Sequence, residues 1–146
     1  MIRHALIPCL RYQDAPAAIA FLGEAFGFAP HAVYADDTDP AIIHHAQLTL
    51  DGNMIMLGSA QNGSDSAALY KWKTPEEAGG ITMCVCAVID DPDSHAERAQ
   101  AAGARIIRGP YANEGYPGRG YDALDTEGNV WNFGNYDPYA DAPPTG

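Results

Sequence analysis

The side chains of this chain best able to hold a metal or move a proton are five histidines, His4, His31, His44, His45 and His95, and three cysteines, Cys9, Cys84 and Cys86. Their spacing gives little support to a metal site. There is no CxxC pair and no HExxH, the arrangements that bring thiolates or helical imidazoles to one zinc ion. His44 and His45 are consecutive in a stretch that reads as a strand, so they point to opposite faces and do not chelate one ion together. Cys84 and Cys86 share a strand face but are poorly placed to bridge each other, and three cysteines are read as reduced thiols. His95, beside Glu97 and Arg98, is expected to be solvated; His4 and His31 are expected at the surface. For acid–base work the candidates are His45, Tyr121, Glu114 and the thiols of Cys84 and Cys86. No Ser-His-Asp or Cys-His-Asp spacing marks a nucleophile.

The elements that position these residues follow from periodicity. In one helix Asp14 caps, Pro16 falls in the first turn, Ile19, Leu22 and Phe26 recur at helical spacing, and Gly27 is the stop. A second helix repeats the plan, with Asp91 as cap, Pro92 at the first helical position, Ala96 and Ala99 on the buried stripe, and Gly103 at the end. The same offset separates Asp51-Gly52-Asn53-Met54-Ile55-Met56 from Glu127-Gly128-Asn129-Val130-Trp131-Asn132, each an acidic-Gly-Asn turn opening a strand. Each unit therefore reads as a strand (5–12 or 82–89), a helix, and three more strands. These are 31–36, 42–50 and 54–58 in the first unit and 105–108, 120–125 and 129–134 in the second. The expectation is a single α+β domain over 1–146 built from two βαβββ modules: module 1 about 1–58, linker 59–80, module 2 about 81–137, and tail 138–146, read as frayed. The linker is polar and turn-rich, then carries Tyr70-Lys71-Trp72-Lys73-Thr74-Pro75 and could cross a surface.

Charge narrows the partners. A net charge of −11 repels a phosphate backbone, so neither nucleic acid nor an anionic membrane is an expected partner. No apolar run approaches the roughly 20 residues of a spanning helix. Residues Met1 to Pro8 lack the longer apolar core and cleavage site of a secretory signal, and a cytoplasmic protein is expected.

The segments Ile7-Pro8-Cys9-Leu10-Arg11-Tyr12-Gln13-Asp14, Ala18-Ile19-Ala20-Phe21-Leu22, Phe26-Gly27-Phe28 and Ala101-Ala102-Gly103-Ala104, in this order and with the internal repeat, resemble the vicinal oxygen chelate superfamily. That superfamily includes glyoxalase I, the bleomycin-resistance proteins and the extradiol dioxygenases. The most specific segment is Asp125-Thr126-Glu127-Gly128-Asn129-Val130-Trp131-Asn132-Phe133, similar to the family's "DPxGN-x-W-x-F". The resemblance spans about residues 5–137. It implies a cup-shaped, incomplete-barrel sheet with helices on the convex side and a ligand cavity on the concave side, commonly in a homodimer. It also implies divalent-metal ligands from the first and last strands of each module. Those positions hold Ile7, Met56, Cys84 and Asn132, so no metal cofactor is expected: a hydrocarbon, a thioether, a thiol and a neutral amide do not make the usual His, Gln and Glu donor set. A soft Cu(I) site from Met56 and Cys84 is set aside in favour of apolar lining.

If the metal-equivalent positions face inward, strand alternation brings Ile7, Cys9, Arg11, Met54, Met56, Cys84, Cys86, Val130 and Asn132 to the cavity. Reading Leu48, Leu50 and Leu124 as helix-facing core turns His45, Gln47, Tyr121 and Ala123 inward as well. Trp131 and Phe133 then fall beneath a helix. By the resemblance Arg11 is an anchor for a ligand carboxylate; alternatively it pairs with a carboxylate at a strand end. The stretch Gly109 to Gly120, with Tyr111, Tyr116 and Arg119, is either a lid or an ordinary connection. Tyr70 and Trp72 offer an aromatic wall or a dimer contact. The leading expectation is metal-independent binding of a small, partly apolar organic molecule in the sheet cavity, as in the bleomycin-resistance proteins. The alternative is a glyoxalase-like lyase or isomerase acting on a small carbonyl compound through His45 or Tyr121, and a third reading is an interaction module whose sheets only dimerise.

Overall fold

The computed structural model describes residues 1–140; the tail reading for 141–146 lies outside the described residues. The first module runs β1 (Cys9–Tyr12), α1 (Ala15–Phe26), β2 (Ala29–Ala35), β3 (Ile43–Leu50) and β4 (Asn53–Ser59). Two short helices, α2 (Asp65–Tyr70) and α3 (Pro75–Ala78), occupy the linker. The second module follows as β5 (Val85–Val88), α4 (Pro92–Ala101), β6 (Arg105–Ala112), β7 (Arg119–Leu124) and β8 (Val130–Gly134). The two sheets have matching strand orders, β1-β4-β3-β2 and β5-β8-β7-β6, each with one parallel pair at its edge. Both are open, and among the described residues no strand of one pairs with a strand of the other. Thus the α+β fold of two repeated modules holds.

The capping chemistry behaves as its residue types dictate. The Asp14 carboxylate accepts from Ala17 N and the Asp91 carboxylate from Ser94 N, while Gly27 adopts the left-handed conformation that ends α1. Asp51 and Gly52, both at positive φ, make the two-residue turn that pairs Leu50 with Asn53. Edge strands are shorter than expected. β1 begins at Cys9 and β5 at Val85, so Ile7 and Cys84 lie just outside them. Conversely, β6 continues to Ala112, which takes Tyr111 out of the loop and pairs it with Gly120.

The core sits where the two helices meet, between the sheets. Phe26 of α1 lies 4.7 Å from Phe133 and 5.5 Å from Trp131 of the other module, ring centre to ring centre. Leu22, Phe26, Leu48, Tyr121, Trp131 and Phe133 are fully buried there, so Trp131 and Phe133 do pack beneath helices. Both ends of α1 are held by the second module. At its start, the Glu127 carboxylate accepts from the Gln13 and Asp14 backbone amides at 2.6 and 2.9 Å. At its end, the Arg98 guanidinium donates to the Glu24 and Gly23 carbonyls, both at 3.0 Å. An anion at the N-terminus and a cation at the C-terminus both complement the helix dipole.

A buried carboxylate completes the clasp. Asp125 accepts from the Tyr12 hydroxyl at 2.6 Å, from Trp131 Nε1 at 3.0 Å, and from the backbone amides of Glu127 and Asn129. Burial first, and then the Asp125 charge, push the Tyr12 phenol well above its ordinary pKa, so it remains a donor. The acidic residue of the Asp125–Asn129 turn is therefore a structural bolt. Replacing it with Ala would leave the Tyr12 hydroxyl and the Trp131 indole unpaired in the interior, at about 1–3 kcal/mol each. Urea unfolding of Asp125→Ala should accordingly show a loss of about 3 kcal/mol or more, and Tyr12→Phe about 1–2 kcal/mol. A loss under about 1 kcal/mol in Asp125→Ala would remove the clasp from the account.

Candidate functional site

With the helices between them, each sheet keeps one face buried and leaves the other open. On the first sheet the open face presents Met54, Met56, His45, Gln47 and Cys9, as strand alternation leads one to expect. His45 stacks on Tyr34, with ring centres 6.2 Å apart, and its Nε2 accepts from the Gln47 amide at 3.1 Å. His44, by contrast, turns to Asp36 at 2.9 Å, a carboxyl that the Thr38 hydroxyl first, and then His44, hold below the usual range.

The open face of the second sheet is more polar. Asp122 accepts from Arg108 Nε at 2.7 Å and from Asn132 Nδ2 at 2.6 Å. The Tyr111 hydroxyl accepts from Arg108 at 2.7 Å and from Asn132 at 3.2 Å, while the Arg108 guanidinium lies 4.3 Å from the centre of the Tyr111 ring. Beside this network are Cys84 and Cys86, both free and exposed. Partial burial, and next the neighbouring Cys84, raise the Cys86 pKa, so Cys86 is a neutral thiol rather than a thiolate nucleophile. A cleft of about 210 Å³ opens here, walled by Cys86, Tyr111, Tyr116, Arg119, Asn132 and Tyr136. Tyr116 packs edge-on against Tyr136, and Arg119 is held in a double contact with Asp93 at 2.7 and 2.9 Å. Arg108 and Asp122 are not among the expected lining residues. Their opposite charges at facing positions of β6 and β7 are the signal, and it becomes visible only with the register.

Two expectations are corrected. Tyr121 and Ala123 do not face the cavity: both are fully buried on the helix side, because β7 pairs Tyr121 with Phe133 and Ala123 with Trp131. Facing residues of paired strands share a side, and Leu124 takes the other one. Likewise His95 is not solvated. Its ring packs 4.4 Å from the Phe133 ring centre, Nε2 donates to the Phe26 carbonyl at 2.9 Å, and Nδ1 accepts from the Tyr121 hydroxyl. One neutral tautomer satisfies both contacts. Burial pushes the Tyr121 pKa up, so the phenol that was a proton-transfer candidate is instead a buried donor to a helix.

A larger cleft, about 600 Å³, lies between the two edge strands and the linker. Ile7, Cys9 and Arg11 reach it from the first module, and Val85, Asn129 and Val130 from the second. The linker closes it with Lys71, Trp72 and Lys73, and the segment leading into β5 adds Ile81 and Met83. The Arg11 guanidinium sits 5.2 Å over the Trp72 ring and donates to the Ser59 carbonyl at 3.2 Å. Partial burial lowers its pKa somewhat, opposed by Cys9, but an arginine keeps its charge. Gly58 makes room for it: a Cβ there would stand 2.8 Å from Arg11 Nη1 and 3.1 Å from the His44 carbonyl. Among the described residues Arg11 has no ion pair with a carboxylate.

The four metal-equivalent residues are dispersed. Ile7 borders the larger cleft and Asn132 the smaller, Met56 lies on the first open face, and Cys84 borders neither cleft. Among the described residues no three His, Cys, Asp or Glu side chains converge as a metal would require. The donor set does not fit the family's divalent ion.

Comparison with known proteins agrees with this architecture. The family model described as Glyoxalase/Bleomycin resistance protein/Dioxygenase superfamily matches residues 2–133. The chain belongs to this superfamily. Among solved structures, TioX from Micromonospora sp. ML1 is 30% identical, covering 90% of this chain and 94% of its own with a TM-score of 0.64. A glyoxalase/bleomycin resistance protein/dioxygenase family enzyme from Burkholderia phytofirmans PsJN is 22% identical over 86% and 93%, with a TM-score of 0.64. The fosfomycin resistance protein FosX from Listeria monocytogenes, complexed with Mn(II) and sulfate, is 16% identical over 95% and 97%, with a TM-score of 0.66. The last two likenesses concern the fold alone. No curated protein matches the chain. Among the described residues no helix is long and apolar enough to cross a membrane.

The His95 contacts lead to a pH dependence. Desolvation lowers its pKa below the ordinary 6.5, so on acidification the unfolded chain takes up this proton first. The stability that the neutral ring contributes is present above about pH 6.5 and is lost as pH falls through the lower, folded value. Urea midpoints between pH 7 and pH 5 should therefore fall more steeply for the native chain than for His95→Gln, and parallel slopes would contradict the assignment.

Proposed function

We propose that this member of the superfamily binds a small, partly apolar organic molecule on its open sheet faces without a divalent metal. The observation that carries the reading is the chemistry of Ile7, Met56, Cys84 and Asn132. A hydrocarbon, a thioether, a thiol and one neutral amide, whose Nδ2 donates to Asp122, offer a cation neither a carboxylate nor an imidazole, and a single carbonyl oxygen does not make a site. What they do offer, with Met54, Cys9 and Cys86, is a soft, polarizable surface around a few fixed polar groups, the usual make-up of small-molecule pockets. On the second sheet the Arg108–Asp122–Asn132–Tyr111 network supplies those polar groups, and its mutual hydrogen bonds hold them in place. Both faces are open within one chain, which supports a homodimer in which two such faces close a cavity between them. The lyase or isomerase alternative rests on His45 alone, because Tyr121 is sealed beneath α4.

Dialysis against Ni, Zn, Mn, Co or Fe followed by elemental analysis should leave well under one metal per chain. Sedimentation equilibrium should give a mass of two chains. Stoichiometric retention of any of these ions would overturn the metal-free reading, and a monomer at micromolar concentration would overturn the shared cavity.

A further inference from the structure

We propose that the larger cleft, between the linker and the two edge strands, is a separate binding site for a small organic anion with a flat apolar body, of the aromatic carboxylate class. It shares Ile7 and Cys9 with the soft surface described above but takes its charges from Arg11, Lys71 and Lys73, so the lysine variants test it apart from that reading.

Charge is the first argument. The chain carries 19 acidic side chains against 8 basic ones, yet no Asp or Glu lines this cleft. Its charged lining residues are Arg11, Lys71 and Lys73, and the two lysines are the only ones in the chain. None of the three has a carboxylate partner among the described residues. The nearby Glu77 is turned away, spent on the Thr74 backbone amide at 2.8 Å and on the Gln13 amide at 3.0 Å. Three cations without counter-ions, gathered in one concavity of an acidic protein, attract a small anion and fix where it sits.

Shape and surface chemistry specify the rest of the ligand. A volume of about 600 Å³ is that of a small-molecule pocket and too small for a folded partner. Between the cations the walls are Ile7, Leu10, Ile81, Met83, Val85 and Val130, which reward an apolar body rather than a free inorganic ion. Trp72, flanked by the two lysines, adds a flat aromatic wall already polarised by Arg11 on its face. Its Nε1 is shut from solvent and finds no acceptor among the described residues. A carboxylate oxygen is the kind of group that the three cations lack.

Titration calorimetry with 2-naphthoate and its neutral isostere 2-naphthamide separates charge from shape. The native chain is expected to bind naphthoate at least tenfold more tightly than naphthamide, with the difference shrinking in high salt. Substituting both exposed lysines, K71Q/K73Q, should weaken naphthoate about fivefold or more and leave naphthamide unchanged. Trp72→Leu should weaken both. Circular dichroism confirms that each variant is folded, and because the lysines make no contact the fold needs, the double variant keeps the test valid even if Trp72→Leu unfolds. Equal affinity for the two probes, an unchanged naphthoate affinity in K71Q/K73Q, no binding up to millimolar probe, or full competition by inorganic phosphate would each overturn the proposal.

Discussion

The geometry of this protein depends on how the second module grips the first, and the Asp125 carboxylate is the centre of that grip. It orders its own turn through the amides of Glu127 and Asn129, and in the same position receives the Tyr12 hydroxyl from the other module. Because the turn is ordered, Glu127 is aimed at the start of α1, and because α1 is fixed there, Phe26 at its far end reaches Trp131 and Phe133. Arg98 and His95 then close over the last carbonyls of the helix. Few of these contacts are strong alone in water, but most are buried or shared, and a shared buried carboxylate with all its partners in place specifies a single arrangement.

That arrangement decides which surfaces remain for function. The helices lie between the sheets, so Leu48, Ile55 and Leu57 of one sheet and Tyr121, Trp131 and Phe133 of the other go to the common core, while thioethers, thiols and amides stay on the outside. The same docking brings the edge strands β1 and β5 close to the linker, and the larger cleft is what lies between them. Open faces and cleft are two consequences of one packing choice. They differ in chemistry because the faces are built from strand positions, whereas the cleft takes two of its three charges, Lys71 and Lys73, from a linker free of sheet alternation.

Much of this was legible in the sequence, for reasons that can be stated residue by residue. Asp14, Gly27 and Asp91 are local devices whose effect does not depend on distant partners, and the recurrence of the acidic-Gly-Asn turns exposed the duplication. What escaped was whatever depended on register. Leu124 looks like core and Tyr121 like a pocket residue until β7 is paired with β8; then Tyr121 faces Phe133 and the assignment inverts. A strand read alone fixes alternation but not which set faces inward. His95 is hidden for a related reason: it sits on a mostly polar helix, and its burial comes from Phe26 and Phe133, which are distant in the chain. The acidic turn itself reads as a strand opener, since nothing local announces that Asp125 will bind Tyr12.

The net charge also takes on a different meaning once it is placed. Arg108 and Arg119 are tied to Asp122 and Asp93, and Arg98 to the end of α1, so half the arginines are committed to holding the fold. The cleft's three cations have no carboxylate partner among the described residues. At physiological ionic strength charges act over about 8 Å, so the acidity distributed over the rest of the surface does not cancel them locally. It acts on larger objects that must lie along it, repelling polyanions such as nucleic acids that would otherwise seek the lysines. A small monoanion can enter the local field without bringing many charges near the acidic surface. An acidic protein with one cationic, aromatic-walled concavity therefore discriminates by size as well as by sign, and the discrimination comes from where the eight basic residues lie rather than from how many there are.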